Sequence, residues 1–121
     1  MSTPRPTDII LHRASHVLEV AFDTGERFRL PCELLRVYSP SAEVMGHGPG
    51  QRILQVGKRH VNIKAISPVG SYAVSLAFDD GHDTGLYSWS TLYDLGKHQD
   101  SYWQRYVDEM AAAGASREPA A

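Results

Sequence analysis

The sequence predicts an α+β fold in which an antiparallel sheet is built from a β-hairpin-plus-helix unit used twice, with the helices packed on one side. Two segments carry this prediction, because LEVAFDTG at 18–25 matches VSLAFDDG at 74–81 position for position. In each copy the apolar residues alternate, and alternate residues of a strand share one face. Asp-x-Gly then predicts a tight turn, since Asp tolerates turn geometry and Gly allows a positive φ.

The first unit is predicted to contain three strands and a short helix. The strands are expected at residues 8–14, 16–22 and 26–30. Pro31 suits the first turn of a helix over 32–38, because its missing N–H would be unpaired there. The Ser-Pro-Ser sequence at 39–41 then ends the helix. Residues 41–52 contain Gly-His-Gly-Pro-Gly and predict an irregular loop.

The second unit is predicted to follow a further hairpin. Residues 53–56 and 61–66 are expected to pair with each other, and 67–70 to form a turn. After the second unit's strands, Ser90 is a candidate N-cap for a helix that runs to Leu95 and stops at Gly96. Asp100 or Ser101 is expected to cap a last helix. Four residues share one face of that helix at helical spacing: Trp103, Tyr106, Val107 and Met110.

Length and composition indicate one domain at residues 8–110, with a flexible arm at 1–7 and a frayed tail at 111–121. The formal net charge of −2 gives no electrostatic basis for a nucleic-acid partner or an anionic membrane. No apolar run is long enough to span a bilayer, and MSTPRPTD lacks a signal peptide's apolar segment. Cys32, the single cysteine, predicts a buried thiol and no internal disulfide. We therefore expect a cytoplasmic protein.

Two segments carry a resemblance to a known family. LLRVYSPSAEVMGHGPGQ at 34–51 and the whole of 70–96 look like the signature segments of a small bacterial family of unknown function, DUF971. That family is similar to the N-terminal domain of gamma-butyrobetaine hydroxylase. A related domain is fused to P-loop NTPases of iron–sulfur cluster assembly. The resemblance spans residues 8–110 and thus implies one domain of that type.

The resemblance also raises the question of whether this domain binds a metal ion. The hydroxylase's N-terminal domain resembles a zinc module with three cysteines and one histidine, which fall here on Ser39, Ser41, Val44 and His82. Structural zinc takes thiolate and imidazole ligands, so two hydroxyls and a valine cannot replace three thiolates. We expect that zinc site to be absent. A different zinc or iron site centred on His82, with Asp83 or His47, stays open as an alternative.

The leading functional prediction is a non-catalytic binding or adaptor module with an unidentified protein partner. The sequence has no recognisable nucleophile–base pair or cofactor loop, so we assign no catalytic residue and no cofactor. Its two Asp-Thr-Gly triplets, at 23–25 and 83–85, occupy non-equivalent repeat positions, which argues against an aspartic-protease pair. By analogy, the family link suggests iron–sulfur or metal-cofactor maturation. The predicted contact surface comprises Gly46, His47, Gly48, Gln51, Asp80, His82 and Asp83.

Overall fold

The computed structural model describes residues 3–46 and 52–119. Two antiparallel three-stranded sheets form within these residues, in the strand orders β1-β2-β3 and β4-β5-β6. Together with four helices they make an α+β fold, and the predicted fold class is confirmed. The elements in chain order are β1 (Pro6–His12), β2 (Val17–Phe22), β3 (Arg27–Pro31), α1 (Cys32–Val37), α2 (Ala42–Met45), β4 (Ile63–Val69), β5 (Ala73–Phe78), β6 (Gly85–Ser88), α3 (Trp89–Lys97) and α4 (Gln99–Ala113).

The repeated segments form the middle strands β2 and β5 and the turns that follow them. The same backbone hydrogen bond joins Gly25 N to Phe22 O at 3.0 Å in the first unit and Gly81 N to Phe78 O at 3.2 Å in the second. Both glycines have φ near +90°, at 89° and 92°, where a side chain would strain the backbone. The first unit (β1–β3 and α1) and the second unit (β4–β6 and α3) are therefore two copies of one arrangement.

The core lies between the inner faces of the two sheets and the helices. Leu18 and Val20 of β2 are fully buried, as is Leu76 of β5. The helices add apolar side chains that recur at helical spacing, so these side chains share one face of each helix and that face packs on the core. These helical core residues are Leu34, Leu35, Val37, Leu92, Leu95, Tyr106 and Met110.

Each unit packs its helix end on the third strand of the other unit. A Cβ added to Gly96 of α3 would lie 2.4 Å from ring atoms of Phe28 in β3. A Cβ added to Gly85 of β6 would lie 2.7 Å from Ser39 Oγ, just after α1. Phe28 and Gly85 are equivalent in strand register, since they pair with Val20 and its counterpart Leu76. The two units thus interlock reciprocally.

The hairpin predicted from residues 53–56 and 61–66 is wrong. Residues 53–56 form no strand, and β4 pairs with β5 instead. The backbone around 53–57 finds other partners, because Ile53 N donates to Val44 O and Gly57 N to Ser116 O. The predicted turn at 67–70 is also wrong, since β4 runs through it to Val69. Proline fits there because β4 is an edge strand.

The helix boundaries differ from the expected ones. Residues 41–52 are not wholly irregular, because α2 begins after Ser41, whose hydroxyl accepts from Glu43 N. Ser88, and not Ser90, caps α3, and Gly96 lies inside that helix. α4 begins directly after His98, earlier than the predicted caps. The pattern of apolar residues located α3 and α4 but not α2, and the cap of α3 depended on strand β6 ending at Ser88.

The chain ends take more part in the fold than the sequence indicated. β1 begins at Pro6, inside the predicted arm. α4 continues to Ala113 and ends at Gly114, whose φ is 61°. Beyond it, Arg117 donates to both carboxylate oxygens of the buried Glu33, each at 2.7 Å. Residues within the predicted tail therefore pack against α1.

Candidate functional site

The turn between β5 and β6 buries His82 instead of exposing it. His82 O accepts from Phe78 N at 2.8 Å, and His82 N donates to Asp80 Oδ1 at 3.1 Å. Only 5% of His82 is exposed. The sequence placed this residue on an acidic surface turn, but the turn folds onto the segment after α1. The lack of a side chain at Gly85 gives that segment room to approach.

Both ring nitrogens of His82 have a partner. Nε2 lies 2.8 Å from Ser39 Oγ, and Nδ1 lies 3.0 Å from Glu43 Oε2. A carboxylate only accepts, so Nδ1 carries the proton and Nε2 accepts from the Ser39 hydroxyl in the neutral ring. Ser39 Oγ also accepts from Ser41 N at 3.3 Å. The histidine is therefore a fully satisfied member of a polar network.

The positions to which the resemblance assigned cysteines lie around this network. Ser39 contacts His82 directly, and Ser41 Oγ lies 2.6 Å from Thr84 Oγ1. Val44 is buried in the core. The hydroxyls are neutral and already used in hydrogen bonds, so this donor set does not fit a zinc module built on thiolates. Serines stand at positions 39 and 41, where the resemblance implies cysteines. These positions therefore offer hydrogen-bonding hydroxyls instead of thiolate metal ligands.

The alternative metal site gains no additional ligand from the described chain. Among residues 3–46 and 52–119, no group of three or more His, Cys, Asp or Glu side chains is placed to hold a metal ion. Asp83 is exposed, and His47 lies outside these residues. The carboxylate that contacts the His82 ring is Glu43, on α2, which the sequence did not single out.

Asp80, beside His82, is held by two cations. Arg36 Nε and Lys58 Nζ lie 2.8 Å and 2.7 Å from the same oxygen, Oδ2. Burial acts to raise the pKa of this carboxyl, but the hydrogen bonds from Lys58, His82 N and Arg36 outweigh it and lower the pKa to about 2. Asp80 is thus an ionised structural anchor of the turn and less available to a partner than the sequence suggested.

The distances among Ser39, His82 and Glu43 resemble those of a Ser–His–acid triad. A nucleophile must be reached by its substrate, however, and Ser39 is 0% exposed. Gly85 lies directly against its hydroxyl. The arrangement can fix the turn to α2, but it cannot present Ser39 Oγ to a carbonyl carbon.

A groove of about 500 Å³ lies on the other side of α2, between α2, α3 and α4. Met45 stands at its rim with 49% of its surface exposed. Leu95 and the rings of Tyr38 and Tyr102 form apolar walls. The two rings meet edge to face at a centroid distance of 4.9 Å. The groove has the size of a ligand or side-chain pocket.

Arg52 forms a rigid part of this groove. Its guanidinium lies 4.5 Å from the ring centroid of Tyr38, and Nη1 donates to Val37 O at 3.2 Å. It also pairs with Glu109 of α4. Tyr102 donates to Asp94, and this hydrogen bond, with burial, raises the pKa of the tyrosine to about 12. The groove walls are therefore preorganised and carry both signs of charge.

Sequence reasoning did not assemble this groove, because one wall comes from α3 and α4 and the other from α2 and its flanking segments, more than 35 residues earlier in the chain. The described residues of the predicted contact surface lie beside the groove and do not line it. Gly46 ends α2, while Asp80, His82 and Asp83 lie in the turn that contacts α2 from the other side. Three further predicted contact residues lie outside the described ranges: His47, Gly48 and Gln51. A local signal existed for one wall of the groove, since Tyr102, Arg105 and Glu109 recur at helical spacing on α4.

The model of the family described as gamma-butyrobetaine hydroxylase-like, N-terminal, matches residues 9–93. The chain belongs to this family. A similar crystal structure, of a protein of unknown function from Acidithiobacillus ferrooxidans, is assigned to the DUF971 family. It is 39% identical, covers 76% of this chain and 92% of its own, and has a TM-score of 0.65. The family resemblance predicted from the sequence is confirmed, and the function of the family is unknown.

Two solution NMR structures are also similar to this member of the family. They are 45% and 57% identical and each covers 99% of this chain, with TM-scores of 0.85 and 0.84. The alignments cover 94% and 89% of their own chains. No curated protein matches the chain. Among the helices of residues 3–46 and 52–119, none has the length and apolar character needed to cross a membrane.

Proposed function

We propose that this domain is a non-catalytic adaptor whose protein partner binds the groove between α2, α3 and α4. The observation that carries the proposal is Met45, a large apolar side chain left half exposed at the rim of a preorganised groove. Exposed apolar surface that borders a concave site is typical of interaction surfaces. The His82 turn would lie near the bound partner, since it contacts α2 on the side opposite the groove.

The burial of Ser39 supports a role without catalysis. Its contact with His82 has triad-like distances, yet its hydroxyl is closed off from solvent. The metal-binding alternative draws no support from the donor set around His82, which offers hydroxyls where thiolates would be needed. Binding without chemistry is the use that fits both observations.

The groove favours a particular kind of partner. Its apolar walls suit an aliphatic or aromatic anchor side chain. Asp94 and Arg105 lie along its edges and bring charges of both signs, as in the polar rim of a protein interface. We therefore expect a protein segment with one apolar anchor flanked by polar residues, and not a polyanion.

The setting of this function is inferred from the family resemblance and from the single cysteine. A link to iron–sulfur or metal-cofactor maturation comes only from the resemblance to domains fused to P-loop NTPases, so it is a proposal by analogy. A cytoplasmic location is proposed because the single cysteine, Cys32, is a buried free thiol that suits a reducing compartment.

The test compares two exposed apolar residues. Met45→Glu would place a charge in the groove, whereas Ile10→Glu would place one on the outer face of β1, away from it. Proteins captured from a cell extract by the wild-type domain are identified, purified and titrated against both variants. We expect Met45→Glu to weaken binding at least about tenfold, as loss of an interface anchor does, and Ile10→Glu to leave it unchanged.

Equal binding by wild type and Met45→Glu would contradict the proposal, as would an equal loss in both variants. Circular dichroism melts of the three proteins serve as the folding control. Because both residues are close to half exposed and lie outside the core cluster, neither substitution removes a core contact.

A further inference from the structure

His82 and Glu26 occupy the same position in the two units. Each is the fourth residue after the phenylalanine that ends the middle strand. The same hydrogen bond places both, since Phe22 N donates to Glu26 O and Phe78 N donates to His82 O, each at 2.8 Å. The repeat therefore aims two chemically different side chains in equivalent directions.

Each of these side chains reaches the other unit. Glu26, in the first unit, accepts from Tyr93 Oη at 2.5 Å and from Lys97 Nζ at 2.8 Å, both on α3. His82, in the second unit, contacts Ser39 and Glu43, in the segment that follows α1. We call these the Glu26 contact and the His82 contact. Both fix a turn of one unit to the end of the other unit's helix or to the residues just after it.

We propose that the His82 contact is the counterpart of the Glu26 contact: a hydrogen-bonded fastening between the units that needs no metal ion. The Glu26 contact supplies the precedent, because it does the same task with a carboxylate, a phenol and an ammonium group. The chemistry of the His82 contact agrees, since both ring nitrogens are satisfied by a hydroxyl and a carboxylate. The Ser39 hydroxyl and the Glu43 carboxylate thus hold the His82 ring by hydrogen bonds alone.

The His82 contact also positions the groove. Glu43 belongs to α2, the four-residue helix that carries Met45 to the rim. A helix this short is not stable on its own, so its position depends on its contacts. Val44 packs in the core on one side and Glu43 meets His82 on the other. His82 is accordingly a positioning residue for Met45. This last step adds to the proposed function, whereas the fastening itself does not depend on it.

The first test is the metal dependence of the fold. Thermal unfolding of the wild-type domain is measured in EDTA and with added zinc. We expect Tm to be the same in both, and calorimetric titration to show no stoichiometric zinc binding. A Tm that falls in EDTA, together with one-to-one zinc binding lost in His82→Leu, would overturn the proposal.

The second test asks whether each substitution affects the amides at its own contact and leaves the other contact unchanged. Glu43→Ala removes the largely exposed partner of His82, and Glu26→Ala is the matched change in the other unit. Amide hydrogen exchange is followed by NMR. We expect Glu43→Ala to speed exchange of Ser41 and Met45, and Glu26→Ala to speed exchange of His98, by about tenfold each, the size of one lost hydrogen bond.

His82→Leu is expected to reproduce the Glu43→Ala pattern more strongly. Should it fail to fold, Glu43→Ala still decides the matter, because Glu43 is 64% exposed and carries no core packing. Unchanged exchange at Ser41 and Met45 in Glu43→Ala would overturn the proposal even if zinc had no effect. A loss of groove binding plays no part in this decision, so the proposed function fails or stands separately.

Discussion

Gly96 of α3 and Phe28 of β3 come from different units and meet so closely that no side chain fits between them. A Cβ on Gly96 would lie 2.4 Å from two ring atoms of Phe28. That ring is itself held edge-on by Phe22 and Tyr93, at centroid distances of 5.9 Å and 5.8 Å. The glycine is therefore required by the packing of one unit on the other, although it lies inside a helix.

Gly96→Ala is predicted to destabilise the domain. Alanine in a helix interior is favoured over glycine by about 1 kcal/mol. Overpacking against a ring held by two aromatic neighbours costs about 1–3 kcal/mol, so the packing term equals or exceeds this gain. We expect a net loss of up to about 2 kcal/mol in the free energy of unfolding, measured by urea denaturation. Ser90→Ala, on the exposed face of the same helix, is the control and should change little. A more stable Gly96→Ala protein would contradict the packing argument.

Asp80 is predicted to contribute to stability in a defined pH range. Its pKa is lowered from the ordinary value of 3.8 to about 2 in the fold. A carboxyl with a lower pKa in the folded state stabilises the fold above its unfolded pKa, and this contribution is lost as pH falls towards 2. The difference corresponds to about 2 kcal/mol at neutral pH.

The measurement is urea unfolding of wild type and Asp80→Asn at a series of pH values from 7 to about 2. The stability gap between the two proteins should be full at pH 7 and should shrink below about pH 4. Asp83→Asn, in the same turn, provides the matched control. A gap that stays constant with pH would show that the loss comes from packing and not from the charge of Asp80.

The sequence predicted what local chemistry determines. Asp-x-Gly after an alternating strand specifies the turns at Gly25 and Gly81, and those turns then place Glu26 and His82. Backbone pairing between residues far apart in the chain was harder to predict from the sequence. Residues 53–56 have strand-like composition, but the Ile53 N–H donates to α2, and the N–H of the next residue, Gly57, donates to Ser116 after α4. Nothing in the local pattern shows that such partners exist.

The burial of His82 escaped prediction for a related reason. An imidazole next to aspartates resembles a solvated turn, and only the approach of Ser39 and Glu43 from the other unit encloses it. The resemblance did place Ser39 near His82, because it carried over a shared site. It could not supply Glu43, which accepts the hydrogen bond from Nδ1 of the ring and lies one position before the expected Val44.

Arg117 is predicted to stabilise the domain from beyond the last helix. Glu33 is 5% exposed, and its carboxylate accepts two hydrogen bonds from Arg117 and one from Tyr106 Oη at 2.8 Å. Removal of one partner from a buried pair leaves an uncompensated charge. Because the arginine is partly exposed, we expect Arg117→Ala to cost about 2 kcal/mol in urea unfolding, less than a fully buried pair.

The neighbouring Glu118 offers the control for this prediction. It pairs with Arg59 and is about half exposed, so Glu118→Ala should cost less than about 1 kcal/mol. Truncation after Gly114 should cost at least as much as Arg117→Ala, because it also removes the carbonyl of Ser116 that accepts from Gly57 N. If the truncated domain were as stable as wild type, the segment after α4 would not be part of the folded unit.

Cys32 is predicted to resist thiol reagents in the folded protein. Burial raises the pKa of its thiol to about 11, and the side chain has no exposed surface. Since the thiolate is the reactive form, a shift of this size lowers its fraction at pH 8 by roughly a hundredfold relative to a free cysteine. A Ser101→Cys variant carries an exposed thiol on α4 in addition to the buried thiol of Cys32. In native buffer mass spectrometry should show one fast modification, at residue 101, and a second only after addition of denaturant. Rapid modification of Cys32 under native conditions would mean that α1 opens far more often than the burial of all its residues allows.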